Sequence, residues 1–132
     1  MTREYKFKAW LKKEKKMVDV LSIEFDAKII AFYKQDEEYE DIIRQTFAPF
    51  EDIELIQYTC INDKDGVEIY EGYIVEYEGD LLIVRFDVED GRYELTNYVY
   101  YELLEKYQSK YYKVVGNIYE NPELLGGKYE TN

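Results

Sequence analysis

Apolar and polar residues alternate along much of the chain with the two-residue period of half-buried β-strands. Tyr5, Phe7 and Ala9 interleave with Lys6 and Lys8. Met17, Leu21, Ile23 and Phe25 share one parity of a second stretch, interrupted only by Asp19. Leu11-Lys12-Lys13-Glu14-Lys15-Lys16 lies between them and reads as a hairpin loop. Asp26-Ala27 turns the chain into a third strand over residues 28–33. The period then lengthens. Asp36 is placed to cap a helix, with Glu37 and Glu38 in the first turn facing the positive end of its dipole. Tyr39, Ile42, Ile43 and Phe47 follow at helical spacing, Arg44 sits towards the negative end, and Pro49 stops the helix. Residues 53–61 return to a strand.

The rest reads as a run of hairpins. Asp63-Lys64-Asp65-Gly66 is a turn in which Gly66 supplies positive φ. Gly79-Asp80 reads as a two-residue hairpin loop. That register pairs Tyr77 with Leu82, Val75 with Val84 and Tyr73 with Phe86 on a wholly apolar or aromatic face. It pairs Glu78 with Leu81, Glu76 with Ile83 and Ile74 with Arg85 on a mixed one. Residues 87–91 supply the next turn and 93–96 the next strand. Asn97 is read as the cap of a second helix carrying Tyr100, Leu103, Leu104 and Tyr107, although tyrosine and valine there also suit a strand. Residues 111–115 form a strand. Asn121-Pro122-Glu123-Leu124-Leu125-Gly126 has the proline-first, glycine-last order of one helical turn. The expected class is α+β. An amino-terminal β-hairpin and helix (residues 1–58) would pack on a small, strongly bent SH3-like β-barrel (residues 59–125), followed by a flexible tail (residues 126–132).

Composition narrows the chemistry. There is no histidine, and one cysteine accompanies 16 tyrosines and 29 carboxylates. Most catalysis at neutral pH and most transition-metal sites use imidazole or thiolate, so neither an enzyme nor a cofactor is expected. Cys60 has no histidine to act as its base and no cysteine to pair with; it reads as a small strand residue. Asp63-Lys64-Asp65-Gly66 resembles part of a calcium loop, but the alignment puts Ile61 and Gly72 at the first and last ligand positions. No metal is expected. Paired carboxylates leave glycoside hydrolysis as the residual catalytic chemistry, though no spacing singles out an acid or a nucleophile.

The net charge of −12 disfavours direct contact with nucleic acid or anionic lipid. Residues 1–16 hold seven Lys/Arg against two acids, whereas the remainder holds ten against 27. A basic tip bearing Lys12, Lys13, Lys15 and Lys16 could therefore dock on the acidic body of a second copy, or serve only as a solvated hairpin end. Thirteen of the 16 tyrosines fall from Tyr58 onward. Tyrosine gives stiff contact area with a polar tip, which makes Tyr73, Tyr98, Tyr101 and Tyr111 interface candidates beside those lysines. The bland alternative is that the rings cover a small barrel. No apolar run reaches the ~18 residues of a membrane span, and the basic amino terminus lacks an apolar signal core; a cytoplasmic protein is expected.

Three stretches resemble the YopX-like family of phage and prophage proteins of Gram-positive bacteria. They are Arg3-Glu4-Tyr5-Lys6-Phe7-Lys8-Ala9-Trp10 with Lys13-Glu14-Lys15-Lys16-Met17; Leu55-Ile56-Gln57-Tyr58-Thr59 with Asp63-Lys64-Asp65-Gly66-Val67-Glu68-Ile69-Tyr70-Glu71-Gly72; and Val115-Gly116-Asn117-Ile118-Tyr119-Glu120-Asn121-Pro122-Glu123-Leu124. Cys60 stands where the family usually has glycine, and Tyr73 where it usually has aspartate. The resemblance implies a phage-encoded protein of a family without an assigned activity, so no catalytic residue carries over. The expected role is a non-enzymatic, self-associating protein-interaction module, with a basic host or phage protein as a further partner. The alternatives are an acidic nucleic-acid mimic that blocks a host DNA-binding protein, and a carboxylate-based hydrolase.

Overall fold

The computed structural model describes residues 2–126. Residues 6–56 form one compact unit, and residues 57–126 with residues 2–5 form a second. The expected α+β class is wrong. Among the described residues there is no α-helix, only three short 3-10 turns, and 52% of these residues are strand in curled antiparallel sheets.

In the first unit β1 (Phe7–Leu11) and β2 (Lys16–Asp19) form the lysine-tipped hairpin, with Trp10 opposite Met17. The second stretch is not one strand. It breaks after Asp19 and restarts as β3 (Ser22–Glu24), because Val18 and Val20 turn into the core while Leu21 stays exposed. β4 (Ile29–Gln35) pairs with β3 on one side and with β5 (Ile43–Pro49) on the other, in the order β3-β4-β5. β6 (Ile53–Asn62) starts in this unit beside β1 and continues into the second. Ala9, Leu11, Ile30, Phe32, Ala48 and Ile53 make the core.

The helix expected after Asp36 is replaced by β5. Asp36 does accept backbone N–H bonds from Glu38 (2.8 Å) and Tyr39 (3.0 Å), as a cap would. But its own N–H closes on the Ile42 carbonyl at 2.8 Å, and seven consecutive pairs from Gln35–Ile43 to Ile29–Pro49 follow. A helix of about ten residues is marginal on its own, whereas β-branched and aromatic residues suit a ladder with β4. The Ile43 and Phe47 side chains that mimicked a helical stripe project from the face away from the core.

The second unit holds β7 (Glu68–Tyr70), β8 (Tyr73–Tyr77), β9 (Asp80–Asp87), β10 (Arg92–Thr96), β11 (Tyr101–Leu103) and β12 (Lys113–Asn117). Five of them form a sheet in the order β11-β10-β9-β8-β12. The β8–β9 register differs from the expected one by two residues: Tyr77 faces Asp80, Val75 faces Leu82 and Ile74 faces Ile83. The two-residue loop is Glu78-Gly79, whose φ of 52° and 84° are the two positive angles of a type I′ turn. A shift of two leaves every side chain on its expected face. Val75, Tyr77, Leu82 and Val84 join Ile69, Leu95 and Tyr112 in one core, while Ile74 and Ile83 pack with Leu125 on the other side.

The second expected helix is also absent. Asn97 accepts N–H bonds from Val99 (3.0 Å) and Tyr100 (2.8 Å), but the turn leads into β11, which pairs back on β10. The helical turn at Pro122–Leu125 forms as expected, with Gly126 left-handed at φ 64°. Of the tail expected over residues 126–132, all but Gly126 lies outside the described residues.

Candidate interaction surfaces

The residues that carry the family resemblance are structural hubs. Asp63 is 6% exposed, and its Oδ1 accepts the N–H groups of Asp65 and Val67, both at 2.9 Å. Its Oδ2 accepts the Val114 N–H at 2.9 Å, tying the turn to β12. A carboxylate so occupied acts as a bracket for three backbone donors. Asn117 has the same role near the carboxy terminus, accepting from Tyr119 (3.0 Å) and Glu120 (2.8 Å). Its N–H donates to Asn121 Oδ1 at 3.2 Å. A Cβ on Gly116 would stand 2.6 Å from that oxygen, which accounts for glycine there. Glu71 straps β6 by accepting the Gln57 N–H at 2.8 Å, and burial raises its pKa.

The candidate interface residues separate into several groups. Lys12, Lys13, Lys15 and Lys16 are all exposed at the β1–β2 end. Lys12 pairs with Glu54 (3.5 Å) and Lys13 with Asp52 (3.4 Å), so half of the basic tip engages carboxylates of its own unit. Tyr73 is a half-buried wall of the core, its ring centroid 5.5 Å from that of Tyr70. Tyr98 and Tyr101 share the β10–β11 hairpin and are exposed, with Arg85 5.6 Å over the Tyr98 ring. Tyr111 is exposed elsewhere, with the Lys110 ammonium 5.2 Å from its ring. Of the four tyrosines, only Tyr98 and Tyr101 share an element pair, as the four lysines share the β1–β2 end.

Two further features of the tyrosine hairpin escaped the sequence. Val99 at its tip is 91% exposed. The Glu102 carboxylate accepts hydrogen bonds from Tyr100 and, at 3.4 Å, from Tyr77. The bond to Glu102 holds the Tyr100 phenol up at about 12, and burial does the same for Tyr77. An open groove of about 590 Å³ beside this hairpin contains Arg85, Asp87, Glu89, Asp90, Arg92 and Glu94. Arg85 pairs with Glu94 at 3.0 Å and Arg92 with Asp90 at 3.4 Å, so two of the four acids in the groove, Glu94 and Asp90, are engaged by cations.

A second apolar surface was hidden by the helix reading. Tyr33, Ile43 and Phe47 are 60%, 67% and 59% exposed. The β4–β5 register sets Tyr33 opposite Gln45, hence between Ile43 and Phe47 on the outer face of the sheet. The available signal was the β-rich run Ile43-Arg44-Gln45-Thr46-Phe47 itself. At the start of β5, Arg44 Nε lies 2.5 Å from Asp36 Oδ2 and lowers that carboxyl to about 2.

The family model described as YopX protein matches residues 6–126. Two solved structures are similar. One, the protein EF1440 from Enterococcus faecalis, is 26% identical with a TM-score of 0.65, over 94% of this chain and 99% of that one. The other, the yopX protein from Bacillus subtilis, is 19% identical with a TM-score of 0.56, over 91% of this chain and 97% of that one. No curated protein matches the chain.

Proposed function

The chain belongs to the YopX family, and from that premise we propose that this phage-type protein acts by binding other proteins, a second copy of itself among them, without catalysis. The observation that carries the reading is exposed aromatic and apolar surface in both units. Tyr33, Ile43 and Phe47 project from one, and Tyr98, Val99 and Tyr101 from the other. Each unit already has a core of its own, so these side chains are surplus to folding. Tyrosine-rich protrusions are the composition that protein interfaces favour.

Neither alternative has a specific observation in its favour. A nucleic-acid mimic needs a row of carboxylates free to stand in for phosphates, and Asp19, Asp36, Asp90 and Glu94 are each ion-paired within the chain. A hydrolase needs two facing acids kept in different protonation states. Sedimentation velocity at micromolar concentration in low and high salt tests the proposal. A species heavier than one chain is expected. A single monomeric boundary at every concentration would remove self-association, and failure to retain any protein from lysogenic cells would remove the rest.

A further inference from the structure

We propose that β5 is the edge along which a second copy pairs, antiparallel about a two-fold axis, joining two three-stranded sheets into one of six strands. This rests on the self-association reading above and names its surface. Among the described residues, in the order β3-β4-β5, β5 has a neighbour on one side only. Its seven residues extend for roughly 23 Å. The backbone bonds beside it, Asp36 N–H to Ile42 and Phe50 N–H to Lys28, lie outside the strand.

Edge strands that remain single are protected by shortness, charge, proline or a bulge. The other edges among the described residues have these devices. β3, β7 and β11 are three residues each, β2 begins and ends on a charge, and β12 carries Lys113 and a register shift after Val114. β5 is long, pairs with β4 without a shift, and has its proline only at the last position. It also contains no acid, in a chain with 29, and its one charge, Arg44, is neutralised by Asp36.

Charge decides the occupant. Two copies of a −12 chain repel, so they approach best where neither presents a carboxylate. A basic foreign partner would be drawn to the acidic surfaces and not to this neutral strip. Pairing β5 with its own two-fold image is self-complementary, as an isologous contact must be. It also sets the Ile43 and Phe47 rows of the two copies on one continuous face.

The test compares the wild type with Ile43→Glu/Phe47→Glu, both exposed positions, and with Val99→Glu on the tyrosine hairpin. A wild-type dimer is expected, weakened by ~10-fold or more in the first variant and unchanged in the second. Loss of the dimer in Val99→Glu alone, or in neither variant, would overturn the β5 edge and leave self-association standing. A monomeric wild type would overturn both. Hydrogen exchange of the wild type guards against a misfolded variant: β5 amides should gain protection as protein concentration rises, and none gained would refute the pairing.

Discussion

At Cys60 the backbone adopts φ 67°, where a residue with a Cβ costs about 1–2 kcal/mol relative to glycine. The thiol's contact with the Glu4 carbonyl, 3.4 Å away, is too weak a hydrogen bond to offset that. The positive φ is a physical reason for the glycine that the family resemblance implies at this position, and cysteine occupies it at a cost in strain. Cys60→Gly should raise stability by about 0.5–1 kcal/mol, part of the strain relief being lost to the greater freedom of glycine in the unfolded chain. Cys60→Ala keeps the strain and should change little. Urea unfolding measures both. A glycine variant less stable than wild type by more than about 1 kcal/mol would mean that side-chain packing outweighs the backbone term.

At the scale of elements, the turn between β8 and β9 shows what could and could not be read. Glycine with an acidic neighbour marked the hairpin, but Glu78-Gly79 and Gly79-Asp80 were both admissible, and the two registers bury the same faces. Asparagine takes positive φ more easily than glutamate, so Glu78→Asn should stabilise the hairpin by roughly 0.5 kcal/mol and leave the register intact. A lower urea midpoint would contradict the type I′ assignment. Elsewhere the failures share one cause. Asp36 and Asn97 make the hydrogen bonds of a helix cap, and a sequence cannot show that the next residues find a ladder partner instead. The strands at β1, β4, β6 and β10, and the turns at Asp63 and Asp87, were legible because their signals are local. The exposed patch of Tyr33, Ile43 and Phe47 was not, since its residues become neighbours on one face only once β4 and β5 pair.

At the scale of the molecule, the second and third family signatures describe scaffold: Asp63 and Asn117 hold turns, and the exposed patches of Tyr33, Ile43 and Phe47 and of Tyr98, Val99 and Tyr101 lie outside all three. The tyrosines accordingly divide between support and display, and three of them, one exposed, carry a pH dependence. Tyr77, Tyr93 and Tyr100, all in the second unit, are each raised to about 12. For Tyr77 and Tyr93 burial is the main cause, and for Tyr100 it is the hydrogen bond to Glu102. In the unfolded chain these phenols ionise near their usual value of about 10. Between pH 10 and 12 the unfolded state has released protons that the folded state retains, so stability falls as pH rises. The contribution is complete below pH 10 and is lost as pH passes through 12. Urea midpoints should therefore drop steeply across that window. Lysine deprotonation acts in the same range, so the decisive comparison is with Tyr77→Phe/Tyr100→Phe, which cannot ionise at those positions. Its midpoint should fall by clearly less. An equal fall in both proteins would show that the Glu102 cluster does not govern alkaline unfolding.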